Sequence, residues 1–116
     1  MSENEIEAEI QAKGLTAPRI TPTDIEANIL GCYYFTAQDG VRGADPHLAQ
    51  YSARELDLLT FCVLVLRNGF IVTGESACAS PENFNAEIGR KIARENAINK
   101  IWPLMGYELR SKLAQG

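Results

Sequence analysis

Leu59-Thr-Phe-Cys-Val-Leu-Val-Leu66 and Phe70-Ile-Val-Thr-Gly-Glu75, joined by Arg67-Asn-Gly69, decide the fold. Both runs are rich in β-branched and aromatic residues, which favour strands. Asn-Gly between such runs is the strongest short hairpin signal, because a type I′ turn needs positive φ at both central residues. The reading is a hairpin with strands over about 59–66 and 70–76. A two-residue turn at Asn68 and Gly69 sets Arg67 opposite Phe70, Val65 opposite Val72 and Val63 opposite Gly74. Side chains alternate across a strand. One face then carries Phe61, Val63, Val65, Phe70 and Val72, and the other Cys62, Leu64, Leu66, Ile71 and Thr73. Both faces are apolar, and a lone two-stranded ribbon is marginal in water. The hairpin therefore needs cover on both sides, from its own helices or from a second copy.

Downstream, Ser80-Pro81-Glu82 reads as a helix start, with Ser80 as N-cap and Pro81 in the first turn. A long C-terminal helix is expected from about 81. Gly89, Ala93 and Ala97, four apart, form a ridge of small residues. Glycine inside a helix costs about 1 kcal/mol against alanine, and close backbone packing is the compensation. Phe84, Ile88, Ile92, Ile98 and Ile101 flank the ridge, with Glu87, Arg90, Lys91 and Arg94 opposite. Pro103 predicts an end or a kink, with a short last segment over Leu104 to Leu113.

Upstream, Thr21-Pro22-Thr23-Asp24 is a second helix start of capping-box type. Ile25, Ile29, Leu30 and Tyr33 extend that helix to about Phe35, as a candidate cover for one hairpin face. Thr36 to His47 is rich in Gly, Asp and Pro and reads as a loop. His47 to Leu58 reads as helical through Leu48, Tyr51 and Leu56. Residues 1–19 are expected to be a flexible or short helical arm, and 20–116 a single α+β domain.

The chain has 116 residues, 46% of them hydrophobic, enough for one core. A net charge of −4 argues against general nucleic-acid binding, where a basic stripe is expected. No apolar run has transmembrane length, and the acidic N-terminus is unlike a signal peptide. Cys32, Cys62 and Cys78 form no CxxC, so they read as reduced thiols of a cytoplasmic protein.

The phrases LTFCVLVLRNGFIVTGESACASPENF and EIGRKIARENAINKIWPLMGYEL, with ITPTDIEANILGCYYFTA before them, resemble small tailed-phage and prophage proteins of the gene-product-49-like family. The resemblance spans Ile20 to Leu113. It implies a phage or prophage origin, with the host cytoplasm as the place of action, and it carries over no catalytic residue.

The chemistry-bearing constellations are few. The single histidine, His47, has nothing in sequence to bring it to Cys78, the cysteine nearest a helix start. A thiol enzyme using Cys78 is therefore an alternative to the main reading, which assigns no catalytic residue. One histidine without paired cysteines gives no metal site, and no cofactor motif is present. Arg90 and Arg94 share a helix face with Lys91, and two guanidinium forks can grip a phosphate or carboxylate. The competing reading is a solvated face in which Glu87 pairs with Lys91 and Arg90. Tyr33-Tyr34-Phe35 cannot all face one core, and Tyr34 is the member left for a partner or for stacking on a base. The expectation is a homo-oligomeric, non-enzymatic phage accessory protein that does not cross a membrane. It binds a host protein or an anionic nucleotide at Arg90, Lys91, Arg94 and Tyr34, in counter-defence or host takeover. A nucleic-acid-associated phage factor is the other alternative.

Overall fold

The computed structural model describes residues 2–50 and 52–116. The elements are α1 (Glu3–Ala12), α2 (Pro22–Ala27), β1 (Ile29–Thr36), α3 (Ala37–Ala44), β2 (Leu59–Leu66), β3 (Ile71–Ala77) and α4 (Ala86–Gln115), with short 3-10 turns at Pro46–Leu48, Arg54–Leu58 and Pro81–Asn83. The class is α+β. The strands form one antiparallel sheet in the order β1-β2-β3, and α4 lies across β2 and β3 on one face.

The hairpin stands where the sequence put it, but its register is one residue off the expectation. Val65 faces Ile71, Leu64 faces Val72 and Cys62 faces Gly74. The reason is the turn. Only Gly69 takes a positive φ, +88°, and Asn68 does not. The Gly69 N–H bonds the Leu66 carbonyl, and the Leu66 N–H bonds the Phe70 carbonyl at 2.8 Å. This is a three-residue loop with its glycine in the left-handed position. The Asn68 side chain accepts the Phe70 N–H at 2.9 Å instead of helping to make a type I′ turn. Each strand keeps its own alternation, but the faces recombine. Thr60, Cys62, Leu64, Leu66, Val72 and Gly74 are buried under α4, while Ile71 and Thr73 share the other face with Phe61, Val63 and Val65.

The small-residue ridge presses on this sheet. A β-carbon built on Gly74 would overlap the Ala93 carbonyl oxygen and the Ala97 nitrogen, and one on Gly89 would meet Thr60 Oγ1 at 3.2 Å. Ala93, Ala97 and Ile101 have no exposed surface, and together with Ile25 of α2 they close the core.

Four other expectations are corrected. The helix opened by Thr21 stops at Ala27, and Ile29–Thr36 is a strand. A bulge at Leu30 interrupts its alternation, which gives the apolar positions a helix-like spacing. The stretch read as a loop contains α3, started by a capping box in which Thr36 and Asp39 exchange backbone bonds. Residues expected to be helical over 47–58 hold only two 3-10 turns, tied to α3 where Gln38 accepts the Ala53 N–H at 2.8 Å; Tyr51 lies outside the described residues. Finally, α4 begins at Ala86 with Asn85 as N-cap, because Pro81–Asn83 is a separate turn, and it runs through Pro103 to Gln115.

The sheet face away from α4 is open. Tyr33, Phe35 and Ile71 are exposed on it, and Phe35 stacks on Phe61 with ring centroids 5.3 Å apart. At the N-terminus, α1 is held by a fork between Arg19 and Glu7, at 2.7 and 2.8 Å, and by the Trp102 indole N–H on Glu3 at 2.9 Å.

Candidate functional site

The residues singled out in the sequence separate into a clasp and a cup. Helical spacing puts Arg90 and Arg94 on the side of α4 that faces β1, and the fold then gives them different partners. Arg94 reaches α2, where both guanidinium nitrogens bond the Glu26 carboxylate at 3.0 and 2.8 Å. Glu26 holds its carboxyl below the ordinary range because Arg94 bonds it, and Arg94 is raised in turn. Glu26 is more than half exposed, so the pair contributes at most about 1 kcal/mol.

Cys32 contributes to the upward shifts of both Arg94 and the Tyr34 phenol. The Cys32 and Cys62 sulfurs are 3.8 Å apart as free thiols. Burial pushes the Tyr34 phenol up to about 12, and burial with the neighbouring Cys32 does the same to the Cys62 thiol.

Lys91 is paired with Glu87 at 3.3 Å on the solvated face. Lys91 and Arg94 border a groove of about 830 Å³ between α1, α2 and α4. Glu3, Glu26 and Glu95 line the same groove, so its acidic groups outnumber its basic ones.

Arg90 has no ion pair among the described residues. It borders a cup of about 150 Å³ between the end of β1 and the start of α4, lined with Tyr34, Phe35, Thr36, Thr60, Phe84 and Asp39. Arg90 and Tyr34 thus line the same cup, while Arg94 is engaged by Glu26 and Lys91 by Glu87. Sequence reading missed Phe84 as a wall of the cup and Glu26 as the partner of Arg94. Thr36-Ala-Gln-Asp39 repeats the spacing already recognised at Thr21–Asp24, and it was the signal that could have placed the rim of the cup.

The phage protein (N4 Gp49/phage Sf6 gene 66) family matches residues 20–113. The chain belongs to this family. No curated protein and no solved structure matches it. The family match takes in every residue of the clasp and the cup and leaves out α1.

In this phage family member the Cys78 thiol donates to the Ser80 carbonyl at 3.1 Å, and His47 sits in the 3-10 turn after α3. Among the described residues, no cluster of three His, Cys, Asp or Glu side chains could hold a metal ion, and no helix is long and apolar enough to cross a membrane.

Proposed function

We propose that this phage protein is a non-enzymatic accessory factor that binds a host component and sequesters or inhibits it in the host cytoplasm, in counter-defence or host takeover. Its ligand is an anionic nucleotide seated at the Arg90 cup. One observation carries this reading. Of the three basic residues on that stretch of α4, Arg90 is the one without an ion pair among the described residues, and it stands beside aromatic side chains. A volume near 150 Å³ has room for one planar ring. The base would stack against Tyr34 or Phe84, a contact worth about 1–3 kcal/mol. The phosphate would stay at the mouth, where the Arg90 fork can take two of its oxygens. The acidic net charge of −4 favours a small ligand over a nucleic-acid backbone.

The test is a thermal-shift screen with linear and cyclic mono- and dinucleotides, followed by calorimetry on any that bind. A ligand specific for the folded state raises Tm. The expected result is a Tm rise that Arg90→Ala abolishes while leaving the Tm of the free protein unchanged. If no nucleotide shifts Tm, the ligand assignment fails. If no host protein co-purifies in stoichiometric amount either, the binding role fails with it.

A further inference from the structure

We infer that the free edge of β3 is where a second copy of this chain docks, joining two sheets into one of six strands. The inference is independent of the nucleotide reading. In the β2–β3 ladder, Leu66 and Phe70 form a hydrogen-bonded pair, and the Cys78 N–H reaches the Leu58 carbonyl. Such pairs recur every second residue. With the observed register, Val72, Gly74 and Ser76 spend their backbone groups on β2. Ile71, Thr73, Glu75 and Ala77 therefore direct theirs outward. Among the described residues one side chain is bonded on that row, where Asn96 donates to the Glu75 carbonyl at 2.8 Å.

The two edges of the sheet are treated differently. On β1 the same alternation turns Cys32, Tyr34 and Thr36 outward. The bulge at Leu30 blunts one end, and Asp39 takes the Thr36 N–H at the other. Only two residues remain between them. The β3 edge is longer and carries no bulge, proline or lysine; its protections are the Glu75 charge and the Asn96 amide on the Glu75 carbonyl.

Geometry and surface chemistry select the occupant. Strands lie about 4.8 Å apart, and α4 covers β2 and β3. A two-fold axis normal to the sheet at the β3 edge would therefore pair the strands antiparallel and set the two α4 helices on one face roughly two strand spacings apart, about 10 Å, which is a normal helix-packing distance. The flank of α4 on that side carries Ile92, Asn96, Asn99 and Pro103. Lys100 lies beside Asn96 and Asn99 on the same flank, so charge there is sparse in a helix otherwise dense with it, and charge depletion marks the centre of an interface. Ile92 is 44% exposed on this flank, and Ile71 is 55% exposed on the other side of the strand. A strand edge is self-complementary in antiparallel pairing, so a two-fold closes without leaving a free edge at the contact. Seven residues of strand and one helix layer enclose roughly 400 Å² per copy, about 800 Å² in all, below the usual range of stable specific dimers, so the association is weak and depends on concentration.

The test is sedimentation velocity of the full chain across a concentration series, with hydrogen exchange at both ends of it. The expected result is a monomer–dimer equilibrium. The Ile71, Thr73 and Glu75 amides gain protection only in the dimer, and Val72 and Gly74 are protected throughout. Thr73→Pro loses no intrachain bond, since that N–H points away from β2, and Ile92→Glu changes an exposed side chain. Each weakens the dimer about tenfold or more. A protein that stays monomeric at its highest soluble concentration overturns the inference. So does a dimer that survives both variants, or one broken only by Tyr33→Asp on the open sheet face. Edge protection that appears only with an added host peptide would also overturn it, because the occupant would then be another chain.

Discussion

Gly74 lies so close to Ala93 that any β-carbon on the glycine would overlap the carbonyl oxygen of the alanine. The obstacle is helix backbone, which cannot swing aside as a side chain does. Gly74→Ala is expected to cost about 3 kcal/mol or more, at the upper end for overpacking. Gly89→Ala meets the Thr60 hydroxyl at 3.2 Å and otherwise only ordinary contacts with Phe84 and Thr60 at 3.8 Å, and it gains up to about 1 kcal/mol in helix propensity. It should therefore be near neutral. Urea unfolding of the two variants checks the contrast; equal losses would mean that α4 can shift along the sheet.

The hairpin and the ridge were legible because each obeys a local period, two residues for the strands and four for the small side chains. The register was not. Asn68-Gly69 fits two turn types, and the choice lies in whether Asn68 turns its backbone or its side chain to the task. Strand β1 was hidden for a related reason. The bulge at Leu30 breaks alternation, so Ile25, Ile29 and Tyr33 mimic a helix. At the site, helix spacing put Arg90 and Arg94 on one side of α4, but the carboxylate that claims Arg94 lies 68 residues away in sequence. No local pattern distinguishes a claimed arginine from a free one.

The docking of α1 should depend on acid. Arg19 bonds the Glu7 carboxylate and holds it near pH 2, against an ordinary value of 4.5. A carboxyl lowered on docking favours the docked state fully above its free value and loses that contribution as pH falls toward the docked one. Between about pH 4.5 and 2, α1 should therefore loosen from the rest of the chain. Trp102, whose indole N–H bonds Glu3, reports this as a red shift in emission. Glu7→Gln should show the shifted emission already at pH 7, with no further change across that window.

Pro103 sits inside a continuous helix. It has no N–H for the carbonyl four residues earlier, that of Asn99, and its ring crowds the same turn. Its side chain is exposed, so replacement sacrifices little packing. Pro103→Ala should stabilise the protein by about 1–3 kcal/mol and raise Tm in calorimetry. A fall in Tm would show that the core needs a bend at this turn.

The thiols should differ sharply in reactivity. Cys62 is fully enclosed under α4 and its thiol is pushed up to about 12, chiefly by burial. The thiolate is the reacting species, so neither access nor ionisation favours Cys62 at pH 8. Cys32 and Cys78 are partly exposed. Timed alkylation followed by mass spectrometry should show two modified sites early. The third should appear only at the rate of global unfolding, and it should accelerate in Gly74→Ala in proportion to the stability lost. Early modification of Cys62 would mean that the β1–β2 seam beside Arg94 opens without the rest of the fold.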